Sequence, residues 1–98
     1  MSTLTASHLR IVHDLFHKLF YIKLRNSNAE LRYVRHADQY LDFTATSVPR
    51  EFRNLGIAGQ LVEAGLIFAR EQNMKVKTTC SYAADYVKRH PEYKDLII

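Results

Sequence analysis

Cysteine is almost absent from this 98-residue chain: Cys80 stands alone, so no internal disulfide can hold the fold. A lone thiol suits a reducing compartment, and the expected location is the cytoplasm. Tryptophan is missing, and glycine and proline number only three and two, which excludes collagen-like and low-complexity chains. No apolar run approaches the roughly 18 to 20 residues of a membrane span, and Leu19-Phe20-Tyr21-Ile22 falls far short of it. The Ser/Thr-rich start carries no apolar stretch of the secretory kind, so no leader and no membrane partner are expected. Like charges never gather into a block, which argues against a dedicated basic arm. What is present is ordinary: 47% hydrophobic and 24% charged residues, the balance of a soluble globular protein. A chain this short has material for one core, and a single domain over residues 1–98 is expected. Its net charge of +4 favours an anionic partner without choosing among nucleic acid, phosphorylated cofactor and acidic protein.

The first half alternates with period two. Leu9, Ile11 and His13 alternate with Arg10 and Val12, and the segment His13 to Lys18 reads as a polar turn. Phe20, Ile22 and Leu24 alternate with Tyr21, Lys23 and Arg25. Asn26-Ser27-Asn28 is a turn of residues that bond their own backbone. Leu31, Tyr33 and Arg35 form the inward set of a third strand, and Leu41, Phe43 and Ala45 alternate with Tyr40, Asp42 and Thr44 in a fourth. Together these predict an antiparallel meander. From Phe52 to about Gln72 the spacing turns helical, with Ile57, Leu61, Gly65 and Phe68 on one stripe and Ala58, Val62, Leu66 and Ala69 beside it. Asn73 is a plausible left-handed cap. Lys75 to Cys80 reads as a short strand, and Ser81 as the cap of a second helix that Pro91 stops. Tyr93 and Leu96 to Ile98 are apolar enough to dock on the body. The predicted order is ββββαβα, an α+β fold in one domain.

The informative segment is Arg53-Asn54-Leu55-Gly56-Ile57-Ala58, where a strand feeds a tight turn and a long amphipathic helix. The first turn of a helix offers N–H groups without intrahelical partners, and its dipole favours an anion. Gly56 and Ala58 let a phosphate approach the backbone, and Arg53 adds a positive charge at the mouth. The same residues also suit an ordinary helix start in which Gly56 merely makes the turn, and the pattern alone leaves both readings open.

Arg-x-x-Gly-x-Ala between a strand and a long helix resembles the acetyl-CoA signature of the GCN5-related N-acetyltransferases. The later run Cys80-Ser81-Tyr82, followed by His90-Pro91-Glu92-Tyr93, resembles the small, single-domain branch of that superfamily. So does Val48-Pro49 ahead of the turn. The resemblance spans roughly residues 18 to 96. It implies a mostly antiparallel sheet splayed between two neighbouring strands, with acetyl-CoA in the gap. By that resemblance Val48 and the backbone of Arg53, Asn54, Leu55, Gly56, Ile57 and Ala58 hold the pyrophosphate end, and the pantetheine runs beside Val76 to Cys80. The implied activity is acetyl transfer from acetyl-CoA to an unknown amine, with no metal. A CoA-binding protein without turnover is the alternative.

Acetyl transfer needs a base for the amine, a donor to the thioester carbonyl and an acid for the departing thiolate. Cys80, where a strand passes into a helix N-terminus, is a candidate nucleophile or acetyl acceptor; it reads equally as a small core filler. Tyr86 resembles the tyrosine that such folds present as general acid, although Tyr82 and Tyr86 at i, i+4 also suit plain packing on the sheet. One departure stands out. The small branch has His-Thr-x-Val-Pro where this chain has Ala45-Thr46-Ser47-Val48-Pro49, so the histidine, the natural base, is replaced by a methyl group. His36 and Asp42 are near only in sequence. Asn54 stands where the branch often has glycine, a change that a left-handed asparagine tolerates.

His13-Asp14-Leu15-Phe16-His17 superficially resembles a zinc-protease motif but lacks the helical context and a third ligand. Tyr21, Lys23, Arg25, Arg32, Tyr33, Arg35 and Tyr40 mix basic and aromatic residues as single-strand nucleic-acid readers do. Alternation splits them between two faces, and nucleic acid ranks behind the cofactor as a partner. An exposed sheet edge suits a monomer or a weak dimer.

Overall fold

The computed structural model describes residues 10–98. Four strands follow one another: β1 (Ile11–Asp14), β2 (Leu19–Lys23), β3 (Asn28–His36) and β4 (Tyr40–Ser47). Helix α1 (Ile57–Glu71), strand β5 (Lys75–Thr78) and helix α2 (Ser81–Arg89) complete the order ββββαβα. Each strand pairs with its sequence neighbours, antiparallel throughout except for the parallel β4·β5 pair. A parallel pair needs a crossover, and α1 supplies it. Leu9, expected in the first strand, lies outside the described residues.

Alternation sorts the sheet into an inner and an outer face. Phe20 and Ile22, Leu31 and Tyr33, Leu41 and Phe43, and Val76 point inward and are buried. Against them α1 lays Ile57, Leu61, Val62, Leu66 and Ala69. Leu61, Val62 and Leu66 are fully enclosed, so truncating either leucine to alanine leaves a cavity worth about 2 to 5 kcal/mol. Gly65 sits where the helix crosses the sheet most closely: a β-carbon there would lie 2.7 Å from the Phe43 ring and 3.1 Å from Leu31. Alanine improves helix propensity by about 1 kcal/mol, but overpacking costs about 1 to 3 kcal/mol. Gly65→Ala is therefore expected to lower stability in urea unfolding with little change in the slope.

Several element boundaries differ from those the spacing predicts. His13 closes the predicted alternation inside β1, where it pairs with Phe20, and Asp14 also belongs to β1 rather than to the turn, because it pairs with Leu19. Arg35 keeps the phase of Leu31 and Tyr33 and pairs with Leu41, but at the end of the hairpin it is exposed, its guanidinium donating to Asp38 Oδ1 at 2.9 Å. The helix starts at Ile57, five residues after Phe52. Residues Arg50–Phe52 form a separate short turn, and Asn54 and Gly56 take left-handed backbone at φ 67° and 79°, which no helix can contain. Strand β5 stops at Thr78 rather than Cys80, and the N-cap of α2 is Cys80, with Ser81 already inside the helix.

The alternation of β4 breaks before Ala45. Tyr33 pairs with Phe43 and Arg32 with Ala45, so Thr44 is an extra residue, a β-bulge. The bulge reverses the phase of β4. Ala45 joins Arg32 on the outer face and is exposed, while Thr46 joins Leu31 on the inner face.

The helix ends follow the expected chemistry. Asn73 is left-handed at φ 57°, Met74 N–H donates to Ala69 C=O at 2.9 Å, and Asn73 N–H donates to Arg70 C=O at 3.2 Å. This is a Schellman closure, with asparagine in the position that glycine usually takes. After α2, Pro91–Leu96 forms a short helical turn that buries Tyr93 and Leu96. Arg70 grips this turn through a two-pronged bond to the Asp95 carboxylate at 2.9 and 3.0 Å. Ile97 then bridges to Val76, covering the free edge of β5.

His13 packs between Phe20 and Phe68, its ring 4.0 Å and 4.5 Å from theirs, and its Nε2 shares a hydrogen bond with the Tyr33 hydroxyl at 2.6 Å. Burial pushes its pKa below the ordinary 6.5, against the pull of Asp14. The unfolded chain therefore takes up this proton first, so stability falls as pH drops through about 6.5. Asp14 and Asp95 are shifted below 3.8, so their contributions are lost only at lower pH. The melting temperature should drop between pH 7 and pH 5, and His13→Phe should flatten that drop.

Candidate active site

Strands β4 and β5 pair only from Tyr40 to Phe43 and from Lys75 to Thr78. Beyond that, β4 continues along β3 to Ser47, while the chain after Thr78 turns away into α2. The sheet is splayed here. Across the opening, the Cys80 N–H donates to Phe43 C=O at 2.8 Å, and Thr46 Oγ1 lies 3.2 Å from Cys80 Sγ.

The chain between β4 and α1 is shaped by residues that suit its strain. Pro49 fixes the entry, and Phe52 N–H closes a turn onto the Pro49 carbonyl at 2.9 Å. Asn54 accepts left-handed backbone at modest cost, and Gly56 accepts it at none. The Arg53 Nε–H donates to Val48 C=O at 3.1 Å, which ties the guanidinium over the loop. Gly56 caps α1 without any side chain, and no acidic residue stands in the first turn. The first intrahelical bond runs from Gln60 N–H to Gly56 C=O at 3.1 Å. The N–H groups of Ile57, Ala58 and Gly59 precede it and lie at the positive end of the helix dipole.

A cavity of about 460 Å³ opens at this point, within the size range of small-molecule sites. Of the residues expected from sequence, Val48, Arg53, Asn54, Gly56, Ile57 and Ala58 line it; Leu55 does not, and is 54% exposed. Thr46, Ser47, Phe52 and Tyr82 complete the walls. Sequence reasoning did not single out Thr46, because its placement depends on the bulge at Thr44. Nor did it assign Phe52 here, having placed that residue inside the helix.

Cys80 is half-buried and free, behind Thr46 at the N-cap of α2. Tyr86 is elsewhere. Only 7% exposed, it lies against Gly59 of α1 and stacks on His90 at 4.0 Å. Burial pushes its pKa up to about 12, with the Glu63 carboxylate adding to the shift, so it holds its proton firmly. It lines a second, shallower groove with Gly59, Glu63, Arg89 and His90. Gly56 and Tyr82 border both depressions, whereas Cys80 and Tyr86 are not brought together. Gly59 permits this close packing, since a β-carbon would meet Tyr82 Oη and Tyr86 Cε2 at 3.3 Å each.

The family-model comparison matches residues 19–96 to the GCN5-related N-acetyl-transferase domain. The chain belongs to the GCN5-related N-acetyltransferase family. Among curated proteins it is similar to Protein NATD1 of Xenopus tropicalis, 34% identical over 88 residues, covering 88% of this chain and 81% of that one. Protein NATD1 of Danio rerio is 33% identical over 97 residues, covering 95% and 88%, and that of Homo sapiens 34% over 85 residues, covering 85% and 75%. Among solved structures, the solution structure of a GCN5-like protein from Staphylococcus aureus superposes with a TM-score of 0.74 at 28% identity, covering 94% of this chain and 90% of that one.

Within this N-acetyltransferase domain, the residues weighed as substitutes for the missing histidine stand apart from the cavity. His36 stacks on Tyr40 at 4.5 Å, at the opposite end of β4 from Thr46. Asp42 pairs in register with Lys77 on the outer face, and its buried Oδ1 has no hydrogen-bond partner among the described residues. Ala45, at the histidine's place in the motif, also faces outward. The basic and aromatic set weighed for nucleic acid is divided: Tyr33 is buried inward, while Tyr21, Arg32 and Tyr40 share the outer face. His13 and His17 have separate partners, Tyr33 and Asp14, and no group of three metal-ligating side chains occurs among the described residues. No helix among them is long and apolar enough to cross a membrane.

Proposed function

We propose that the protein binds acetyl-CoA at the start of α1 and passes its acetyl group, through Cys80, to an amine acceptor. The observation that carries this reading is the Gly56 cap. Left-handed glycine, the N–H groups of Ile57 to Gly59 and a first turn without acid make an anion cradle at the mouth of a cavity of about 460 Å³. Arg53 adds charge beside it, and the family match favours a pyrophosphate as the anion. The pantetheine then runs through the splay between β4 and the chain after β5, toward Thr46 and Cys80.

Bound acetyl-CoA supplies an activated thioester. The chain's own part is to hold it, exclude water along the cleft and present the Cys80 sulfur. Ala45 can take no proton, so an acceptor amine arriving at the outer face meets no base from that position. Transfer by way of Cys80 removes the need for one in the first step. Tyr86, held protonated, lines the adjoining groove rather than the cavity, so it donates a proton only to a group bound in that groove. A cytoplasmic setting belongs to this proposal, because a reducing medium keeps Cys80 a thiol.

Calorimetric titration with acetyl-CoA, CoA and adenosine diphosphate tests the reading. Saturable one-to-one binding that favours the CoA species is expected, and no heat at millimolar ligand overturns it. Ala45 supports a second reading, a CoA-binding protein without turnover. Binding without acetyl transfer to Cys80 or to any amine would select it.

A further inference from the structure

We infer that Thr46 is the positioning residue for the Cys80 sulfur; this rests on the reading that Cys80 receives the acetyl group. The Cys80 backbone is fixed on both sides, its N–H donating to Phe43 C=O at 2.8 Å and its carbonyl accepting Ala84 N–H at 3.1 Å. What stays free is the side-chain torsion, and the polar partner of the sulfur is the Thr46 hydroxyl at 3.2 Å. Threonine is β-branched and stiff at its first torsion, so it holds that hydroxyl in place. It faces Cys80 only because the bulge at Thr44 turns residue 46 to the inner face and residue 45 to the outer. Thr46 also lines the cavity, which Cys80 does not, so this contact joins the thiol to the cleft.

The donor direction follows the proton. While Cys80 is a thiol, either group can donate to the other. Once the thiol proton has passed to solvent, the Thr46 O–H donates to the negative sulfur and holds it toward the cleft. The sulfur attacks the thioester carbonyl carbon; a new carbon–sulfur bond forms as the bond to the CoA sulfur breaks. The CoA sulfur leaves with the electron pair and takes a proton from solvent. One thioester is exchanged for another, no oxidant or reductant is needed, and Thr46 is unchanged.

Alkylation by iodoacetamide reads this contact without any acyl donor, since Cys80 is the only cysteine. At neutral pH, Thr46→Val should slow alkylation about tenfold, the scale of one lost charge-assisted hydrogen bond, while Thr46→Ser stays within about twofold of the parent. If the valine variant does not fold, Thr46→Ala repeats the measurement. Equal rates in the parent and the valine or alanine variant overturn the inference. Acetylation of Cys80 at saturating acetyl-CoA, followed by intact mass, should fall in the same order. If the alkylation order holds but the parent is never acetylated, the acyl-transfer reading fails and the Thr46 contact stands.

Discussion

Gly56→Glu is expected to abolish measurable acetyl-CoA binding, weakening it by more than about a hundredfold. Two effects combine. Gly56 sits at φ 79°, where a side chain costs about 1 to 2 kcal/mol, and its α-carbon borders both the cavity and the adjoining groove. The new carboxylate would compete for the N–H groups of Ile57 to Gly59 and repel a pyrophosphate; opposed like charges cost several kcal/mol at an interface. Gly56→Asn separates strain from charge. Asparagine tolerates left-handed backbone, so it should fold much as the parent does and bind acetyl-CoA within about tenfold of it. Calorimetry on both variants, with circular dichroism as the folding check, decides the matter. Parent-like affinity in the glutamate variant would remove the cradle from consideration.

The strands and helices were legible because their signals are local and periodic. The inward residues Phe20, Ile22, Leu31, Tyr33, Leu41 and Phe43 obey strict alternation, and all are buried. The α1 stripe obeys the helical period, with Asn73 closing it as expected. Asn54 was read as a left-handed asparagine and stands at φ 67°. What failed depends on events outside a short window. A period-two pattern does not register a bulge, so in sequence Ala45 keeps the phase of Leu41 and Phe43, although its pairing with Arg32 turns it out. Helical spacing ran back to Phe52 because that residue is apolar, but a spacing rule does not register that the backbone reverses hand at Asn54 and Gly56.

Legibility of the site divides in the same way. The cradle lies in one contiguous segment, Arg53 to Ala58, and its chemistry could be read from residue type and order. Thr46 and Cys80 are 34 residues apart and meet only across the splay. Tyr82 and Tyr86, one turn apart on α2, both suit packing on the sheet by their spacing alone. Their roles separate because the Tyr86 ring packs on Gly59 and is buried, while Tyr82 reaches Gly59 with its hydroxyl and lines the cavity.

Cys80→Ala should eliminate acetyl incorporation into the protein while leaving acetyl-CoA affinity within about threefold of the parent. Cys80 is not among the cavity walls, so its loss removes no direct contact with the cradle. Because it is the only cysteine, a single added acetyl group in the intact mass of the parent, absent from the variant, is unambiguous. Cys80→Ser sharpens the test. A hydroxyl preserves the hydrogen bond with Thr46 and the N-cap geometry of α2, but a serine without an adjacent base is a weak nucleophile. Both variants should therefore lose acetyl transfer to an amine, with the serine variant as stable as the parent. The decisive alternative is a Cys80→Ser protein that binds acetyl-CoA and still acetylates an amine at the parental rate. Transfer would then pass directly from acetyl-CoA to the acceptor, Cys80 would be a packing residue, and the acceptor amine would have to arrive already deprotonated, since Ala45 offers it no base.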